Sequence, residues 1–585
     1  MSDSCRSDSF RRVLMCVLLA AVMACASGGG GGFGHSSSPF PTRSQVDALT
    51  NGSGAINPFA QAVVDAKEWT FSEPAAERLD DEPYVDSSLW GPLLMQFVAS
   101  DPARLQVTRA MHCTASELAR FYLEYAAMPA PPLRSAILEH CGALVADIYP
   151  SYVFGAATQE HSEEMLHYDW KSKVRAVLNG YVRPGAQSLG IAFARDEKKA
   201  VVVMVSGARR AQIEPTSRVV GADGRLLIRG RSLTPVARMS AFVNQGRYAF
   251  ASCTPDTDLR LPEFGYACPL AAGDAGARIT VVAFERGRLL GLGVLDLEAL
   301  RESPPATYRR ASYTRPTPVR DVADVPPRLL ELVNEVRRQA HLSPVSLSEA
   351  QTAVSAKLAP RFFETFLDAA KHDAADAVML GLLAGWDVGG EPIRTAGFTA
   401  GAVGPTDDAS EWIDSIMSDP TGRATLLEPT ARVVAFGPLM TQSPAILAST
   451  FTSYSFFDTA DYAAVRSQLL ERIRAERAAR GLSPPILVTT LDADAAPLAA
   501  ELRSGRETPN EALTSLMRTG AGVLGRSVHG LAFQGATFDE IELPDELLTA
   551  KRLELSITVS HYRPEGSPWG AFVALVVIPG EGTRA

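Results

Sequence analysis

LLELVNEVRRQAHLSPV (Leu329–Val345) and LLERIRAERAARGLSPP (Leu469–Pro485) align without a gap at an offset of 140 residues. Leu329, Leu330, Glu331, Arg337, Leu342, Ser343 and Pro344 recur as Leu469, Leu470, Glu471, Arg477, Leu482, Ser483 and Pro484. Each stretch reads as a helix that stops just before a proline, whose ring crowds the preceding residue out of the α region. Strand-like sequence closes each unit. ARVVAFG (Ala431–Gly437) and AILASTFTSYSFF (Ala445–Phe457) end the first; RLELSITVSHY (Arg552–Tyr562) and WGAFVALVVIPG (Trp569–Gly580) end the second. A unit repeated at a fixed offset is the mark of homologous domains, here two α/β domains expected over 325–457 and 462–580.

Upstream, the proline-rich, polar stretch Ser303–Pro327 predicts a linker over 304–324. From 208 to 303 the texture is short β-rich pieces: RLLIRGRSL (Arg225–Leu233), MSAFVNQGRYAFASC (Met239–Cys253) and ARITVVAFERGRLLGLGVLDL (Ala277–Leu297). Strand signals spaced this way, with glycine-containing turns between them, predict a small β-sandwich of immunoglobulin type. Residues 85–207 begin with helical periodicity in LWGPLLMQFVA (Leu89–Ala99) and SELARFYLEYAAM (Ser116–Met128). They end in two strands, Ser188–Arg195 and Lys199–Gly207, around a charged turn. Val201–Val205 is apolar throughout, as a strand buried on both faces must be.

The N-terminus carries a different message. Arg11-Arg12 precedes the apolar stretch VLMCVLLAAVMA (Val13–Ala24), which ends at Cys25. That is the form of an export signal over 1–24, and it is shorter than the roughly 20 apolar residues a permanent span needs. Val22-Met23-Ala24-Cys25 resembles the bacterial lipobox, in which the cysteine is acylated and becomes the mature N-terminus; the alternative is an ordinary signal peptide cleaved near Ala24 or Ala26. Ala26 in place of aspartate resembles the pattern that permits transfer to an outer membrane. Several acyl chains, at about 0.8 kcal/mol per buried methylene, would hold the chain firmly. The glycine- and serine-rich run Gly28–Ser44 supplies almost no side chain for a core and is expected to be a flexible tether within a 25–84 lead-in.

Of seven cysteines, Cys5 and Cys16 fall in the export segment and Cys25 at its end. The remaining Cys113, Cys141, Cys253 and Cys268 are expected to pair as Cys113–Cys141 and Cys253–Cys268 in an oxidising compartment. Clustered metal-binding spacings are absent. A net charge of −10 without a basic face argues against nucleic acid.

The helix around Asn334 and Arg337, followed by Leu342 and Leu347, resembles the opening of bacterial CAP-superfamily domains (cysteine-rich secretory and pathogenesis-related proteins), with His341 where glycine is usual. EWIDSIMSDPTGRATLLEP (Glu411–Pro429) resembles the tryptophan helix and the S-P-G-H-R-A-N-L-L signature of that family through Trp412, Pro420, Arg423, Ala424, Leu426 and Leu427. The resemblance covers 325–457 best, reaches 462–580 through the internal repeat, and 85–207 through the helix and hairpin pattern. It implies α-β-α sandwiches whose cleft often holds two histidines and two glutamates, sometimes with a divalent metal. Here the signature histidine falls on Gly422, and the family's G-E-N segment is best matched by Gly397-Phe398-Thr399, with phenylalanine in place of glutamate. His372, Trp412 and Arg423 are the candidate remnants of such a cleft. In the first unit Val174 precedes Arg175 where the histidine would stand, and the last offers only His529.

Rival chemistry fares no better. The chain has no G-x-S-x-G elbow and no H-E-x-x-H. His161 and His167, with Glu163 and Glu164 between them, form the best metal candidate, but a spacing of six is poor for a shared ligand sphere on a helix. The expected architecture is therefore multidomain α/β and β: three CAP-like α-β-α units plus one immunoglobulin-like sandwich. The expected function is a lipid-anchored, exported envelope protein, without catalytic residues, metal or cofactor, that binds an envelope lipid, glycan or protein or serves as a surface scaffold. The alternative is an envelope hydrolase or metal-dependent enzyme using a CAP-type cleft.

Overall fold

The repeated stretches fold as the C-terminal parts of two long helices, and both end in the same way. One helix runs Val325–Gln339, the other Thr459–Ala479. Two residues on, His341 and Gly481 both adopt the left-handed conformation, at φ 58° and 70°. The amide of Leu342 bonds the carbonyl of Arg337, and that of Leu482 the carbonyl of Arg477. This is a left-handed C-terminal cap, where glycine fits without strain and a Cβ does not. The guanidinium of each repeated arginine then closes the unit. Arg337 donates to the carbonyls of Ser343, Leu426 and Glu428 at 2.8–3.0 Å. Arg477 donates to those of Ser483, Leu547 and Ala550 at 2.7–2.9 Å. Both are fully buried.

The computed structural model describes residues 16–18, 40–50, 63–64, 66–80, 82–146, 148–157, 160–180, 185–221, 223–284, 292–302, 304–366, 372–442, 445–535, 538, 543–564 and 566–580. Cys25 and the tether from Gly28 to Pro39 lie outside them. β1, Cys16–Leu18, falls in the stretch expected to be an export signal; in the lead-in, α1 is Arg43–Thr50, β2 Val63–Val64, β3 Glu68–Thr70 and β4 Arg78–Leu79. The first unit comprises α2 (Gly91–Val98), β5 (Leu105–Val107), α3 (Arg109–Tyr125), β6 (Met128–Pro129), α4 (Pro131–Cys141), β7 (Tyr149–Ala156), α5 (Glu163–Asn179), β8 (Gln187–Arg195) and β9 (Lys199–Ala208). Its sheet has the order β5-β8-β9-β7, with β5 parallel to β8 and the other pairs antiparallel. Val201, Val203 and Val205 face α3 and α4, while Val202 and Met204 face α2 and α5. Burial on both faces is why this strand reads as an unbroken apolar run.

The second unit comprises α6 (Val325–Gln339), β20 (Ser346–Leu347), α7 (Glu349–Phe366), α8 (His372–Leu383), β21 (Ile393–Val403), α9 (Ala409–Ser418), α10 (Pro420–Leu426), β22 (Val433–Gln442) and β23 (Ala445–Phe456). The third comprises α11 (Thr459–Ala479), β24 (Ile486–Leu487), α12 (Asp492–Ser504), α13 (Pro509–Leu524), β25 (Val528–Gly535), α14 (Asp545–Thr549), β26 (Glu554–Tyr562) and β27 (Ala571–Pro579). Their sheets run β20-β22-β23-β21 and β24-β26-β27-β25. In all three units a short first strand lies parallel to the third, the third and fourth form a hairpin, and the second takes the far edge. Each sheet has helices on both faces: α7 and α8 opposite α6 and α9 in the second unit, α12 and α13 opposite α11 and α14 in the third. Beyond β21, the backbone of β1 pairs antiparallel with Phe398–Ala400.

Between the first two units lie β10 (Ala211–Ile213), β11 (Thr216–Ser217), β12 (Arg225–Ser232), β13 (Arg238–Gln245), β14 (Ala249–Ser252), β15 (Thr254–Pro255), β16 (Glu263–Pro269), β17 (Gly276–Phe284), β18 (Leu292–Leu300) and β19 (Thr307–Arg309). Two antiparallel sheets, β10-β12-β16-β15 and β14-β13-β17-β18, enclose one core in which Ile228 and Phe264 of the first meet Val243, Ile279 and Leu297 of the second. Cys253 and Cys268 are bonded across the β15–β16 hairpin, where the chain crosses between sheets, and Cys113 and Cys141 tie α3 to the end of α4.

The stretches expected to link and to lead in are held along much of their length. Within 304–324, β19 pairs with β3, the Tyr313 amide bonds Asp414 at 2.7 Å, and Val319 is buried. Phe40 stacks on Trp569 at 4.2 Å, the Trp386 indole donates to the Pro41 carbonyl, and Arg43 pairs with Asp387. Chain that reads as polar linker is ordered here because distant backbone and aromatic groups satisfy it. Among the described residues, no helix is long and apolar enough to cross a membrane.

Replacing His341, which is exposed, with glycine removes the left-handed strain at one cap. His341→Gly is expected to raise stability by roughly 1 kcal/mol, the relief being partly offset by the backbone freedom glycine loses on folding. Chemical denaturation reads this directly, and a destabilised variant would contradict the cap.

Candidate functional site

Trp412 and Arg423, two of the three residues singled out as a cleft remnant, sit on α9 and α10. Their side chains are engaged in packing. Asp419 caps α10, its carboxylate accepting the amides of Thr421 and Gly422 at 2.8 Å. Trp412 is fully buried, with its indole donating to the Gly401 carbonyl at 3.0 Å. Arg423 points away from the sheet, toward the sandwich. Its Nε donates to the Met417 carbonyl at 2.9 Å, and the rest of its guanidinium to the carbonyls of Gly246 and Ala249 and to the Tyr313 hydroxyl at 2.9–3.0 Å. The β13–β14 turn, the 304–324 stretch and α10 thus converge on one cation. Gly422 is buried and has no side chain. Phe398 is fully buried in the layer of α7 and α8, where it meets Phe362 edge-on at 5.1 Å. His372 opens α8.

The other sequence candidates stay apart. His161 precedes α5, and its carbonyl accepts from Arg195. His167 lies on α5 with its ring edge against Trp90 at 4.8 Å, while Ser162 serves as the helix N-cap. His529 is an exposed residue of β25. Among the described residues no group of three or more His, Cys, Asp or Glu is arranged to hold a metal.

Two clusters that sequence reading did not single out are more unusual electrostatically. The first lies where α4 meets the sandwich. Arg278 Nε is 2.7 Å from Glu139 and a second guanidinium nitrogen 3.7 Å from Asp296; Arg218 bonds the Glu139 carbonyl at 2.7 Å and the Glu298 carboxylate at 3.3 Å. Burial pushes the Glu139 carboxyl up to about 7, against the pull of Arg278 and with the help of Glu298 and Asp296. Burial likewise raises Glu298. The second cluster is in the third unit. The Tyr462 hydroxyl is 2.7 Å from His561 Nδ1, and the imidazole stacks on Phe457 at 4.5 Å. Burial, followed by repulsion from Arg503, lowers His561 to about 4, so it is neutral at pH 7 and shares a hydrogen bond with the phenol. Neither cluster had a sequence signal, because its members come from elements far apart in the chain.

Chemically, the first cluster is a charge lock between two bodies and the second a buried polar pair at the end of a sheet. The Trp412–Arg423 region is a structural joint.

No family model matches this sequence, and no curated protein matches it. Among solved structures, the chain is similar to a cysteine-rich secretory protein from Staphylococcus aureus, at 12% identity and a TM-score of 0.18, with 46% of this chain and 85% of that one covered.

The charge lock carries a pH dependence. A carboxyl whose folded pKa is raised adds most stability below its unfolded value, where it is protonated in both states. It loses that contribution as pH climbs through the folded value. For Glu139 the window runs from about 4.5 to about 7. Glu139→Gln, neutral at every pH, is expected to flatten the fall in melting temperature between pH 5 and pH 8. Parallel curves for variant and parent would remove Glu139 from the account.

Proposed function

We propose that the chain is an exported cell-envelope protein, lipid-anchored through Cys25, in which three CAP-like units and an immunoglobulin-like sandwich form a non-catalytic scaffold binding an envelope lipid, glycan or protein. The observation that carries this reading is the use of Arg423. A guanidinium committed to three backbone carbonyls and a tyrosine hydroxyl is a clamp between domains, and its neighbours Trp412 and Gly422 are packed into the same joint. Of the positions that the resembled family would use for acid–histidine chemistry, Gly422 is buried in α10 and Phe398 lies in the core beneath α7 and α8, which supports a non-catalytic reading. The order of the sandwich strands, β10-β12-β16-β15 against β14-β13-β17-β18, follows the immunoglobulin pattern of A-B-E-D against C′-C-F-G, which supports reading that domain as a binding or spacing module. Several related units on one tether suit multivalent contact, where effective concentration raises avidity.

The anchor is tested with Cys25→Ser. The substitution is expected to move the protein from the membrane pellet to the soluble fraction and to abolish incorporation of a radiolabelled fatty acid; unchanged fractionation would overturn the lipid anchor. The ligand role is tested by capturing envelope lipids and glycans with immobilised protein lacking residues 1–39. Enrichment over an unrelated acidic protein is expected. Recovery of nothing above that control, or hydrolysis of the captured material, would count against a binding scaffold.

A further inference from the structure

Three sheets of one topology leave three equivalent edges, since among the described residues the second strand of each unit (β7, β21 and β25) has a sheet neighbour on one side only within its own unit. These edges differ in how they are finished. β21 is flanked by β1, Cys16–Leu18, a segment that export would remove. β25 holds glycines at Gly530 and Gly535 and the polar His529 and Gln534. β7, Tyr149–Ala156, reads YPSYVFGA: it has no charge, and its proline is buried at one end. Natural sheets normally blunt such an edge with lysine, a bulge or a covering loop.

The open half of β7 is also aromatic. Phe154 is 61% exposed, far more than a large apolar side chain in a sheet ordinarily is. Its ring lies 5.2 Å from Tyr122 of α3, which in turn stacks on Tyr152 at 4.8 Å. The ladder sets the direction of the main chain. Ala157 donates to Lys198, so in the alternating antiparallel pattern Phe154 turns its N–H and C=O away from β9, toward the outer edge.

We infer that β7 is a homotypic docking edge: two copies of this chain pair antiparallel through β7 about a twofold axis at Phe154, joining two four-stranded sheets into one of eight strands. The strand complements itself in that register. Phe154 meets its equivalent, Tyr152 meets Ala156, and Val153 meets Gly155, so each remaining large side chain faces a small one and no like charges confront each other. A twofold contact of this kind is closed and stops at the dimer. Cross-strand aromatic pairs strengthen antiparallel pairing, and the Tyr122 rings of the two copies extend the apolar contact on either side. The inference is independent of any ligand in the clefts.

The test is cross-linking of the full-length chain. In a hydrogen-bonded antiparallel pair the Cα atoms are about 5.5 Å apart, within disulfide reach. Phe154→Cys is therefore expected to give, under mild oxidation, a species of twice the chain mass on a non-reducing gel. Neither the parent chain nor Leu227→Cys, an equally exposed position on the sandwich, should give it. As a second measurement, Phe154→Lys, which places two ammonium groups face to face, is expected to halve the particle mass seen by light scattering while leaving the circular dichroism unchanged. A monomeric Phe154→Cys, equal cross-linking of Leu227→Cys, or equal masses for parent and Phe154→Lys would each overturn the proposal. A cross-link from the thiol introduced by Phe154→Cys to a different polypeptide would overturn it too, assigning the edge to a foreign partner.

Discussion

A buried cation held by main-chain oxygens is the constraint around which these domains close. Arg337 and Arg477 lie in the interior with no carboxylate in salt-bridge contact among the described residues, and burial lowers the affinity of each for its proton, offset in part at Arg337 by the charge of Glu428. They stay charged because arginine begins so far above neutrality, and because their partners are well placed. Ser343 and Ser483 supply carbonyls from the turn just past the long helix. Leu426 and Leu547 supply them from the ends of α10 and α14, where unpaired carbonyls and the negative pole of the helix favour a cation. One side chain thereby fixes the helix end, the turn into the short first strand, and the approach to the third strand. Removing it would strand several buried carbonyls at once, each costing about 1–3 kcal/mol.

The same device recurs between domains. Arg423 joins α10 to the β13–β14 turn and to Tyr313, and Arg218 joins the sandwich to the carbonyls of Ala76 and Glu139. Glu117 does the converse with an anion. Its buried carboxylate pairs with Arg120 at 3.1 Å and accepts the Trp69 indole and the Ser72 amide and hydroxyl, pinning the lead-in to α3. A buried charge is costly unless it is fully partnered, so each of these groups makes its surroundings specific: the structure is tolerable only with every partner in place. That is why the stretches between domains are ordered, and why the region resembling a cleft serves as a joint.

The repeat was legible because helix ends and strand hairpins are local. The recurrence of Arg337 as Arg477 and of Pro344 as Pro484 marks the end of a helix without reference to anything distant. The disulfides followed from the count and order of the cysteines, given the expectation of an oxidising compartment. By contrast, Ser303–Pro327 reads as a linker because its composition is polar and proline-rich. Its order comes from β3, more than two hundred residues earlier, and from the carboxylates of Asp408 and Asp414. Main-chain pairing with a remote strand leaves no trace in local composition. Nor do Phe40 and Val46, two apolar side chains at the end of a glycine-rich run, announce that they belong to the core of the second unit.

The sequence by itself determined the repeated units, the apolar strand Val201–Val205 buried on both faces, and the absence of a side chain at Gly422, since each of these depends only on neighbouring residues or on a side chain that is present or missing. Tertiary structure alone decided where Arg423 points, that Glu139 and Arg278 meet, and that His561 rests against Tyr462. Those outcomes depend on which distant groups share a dry interior. In that interior, the energy of a charge is set by partners that local sequence does not specify.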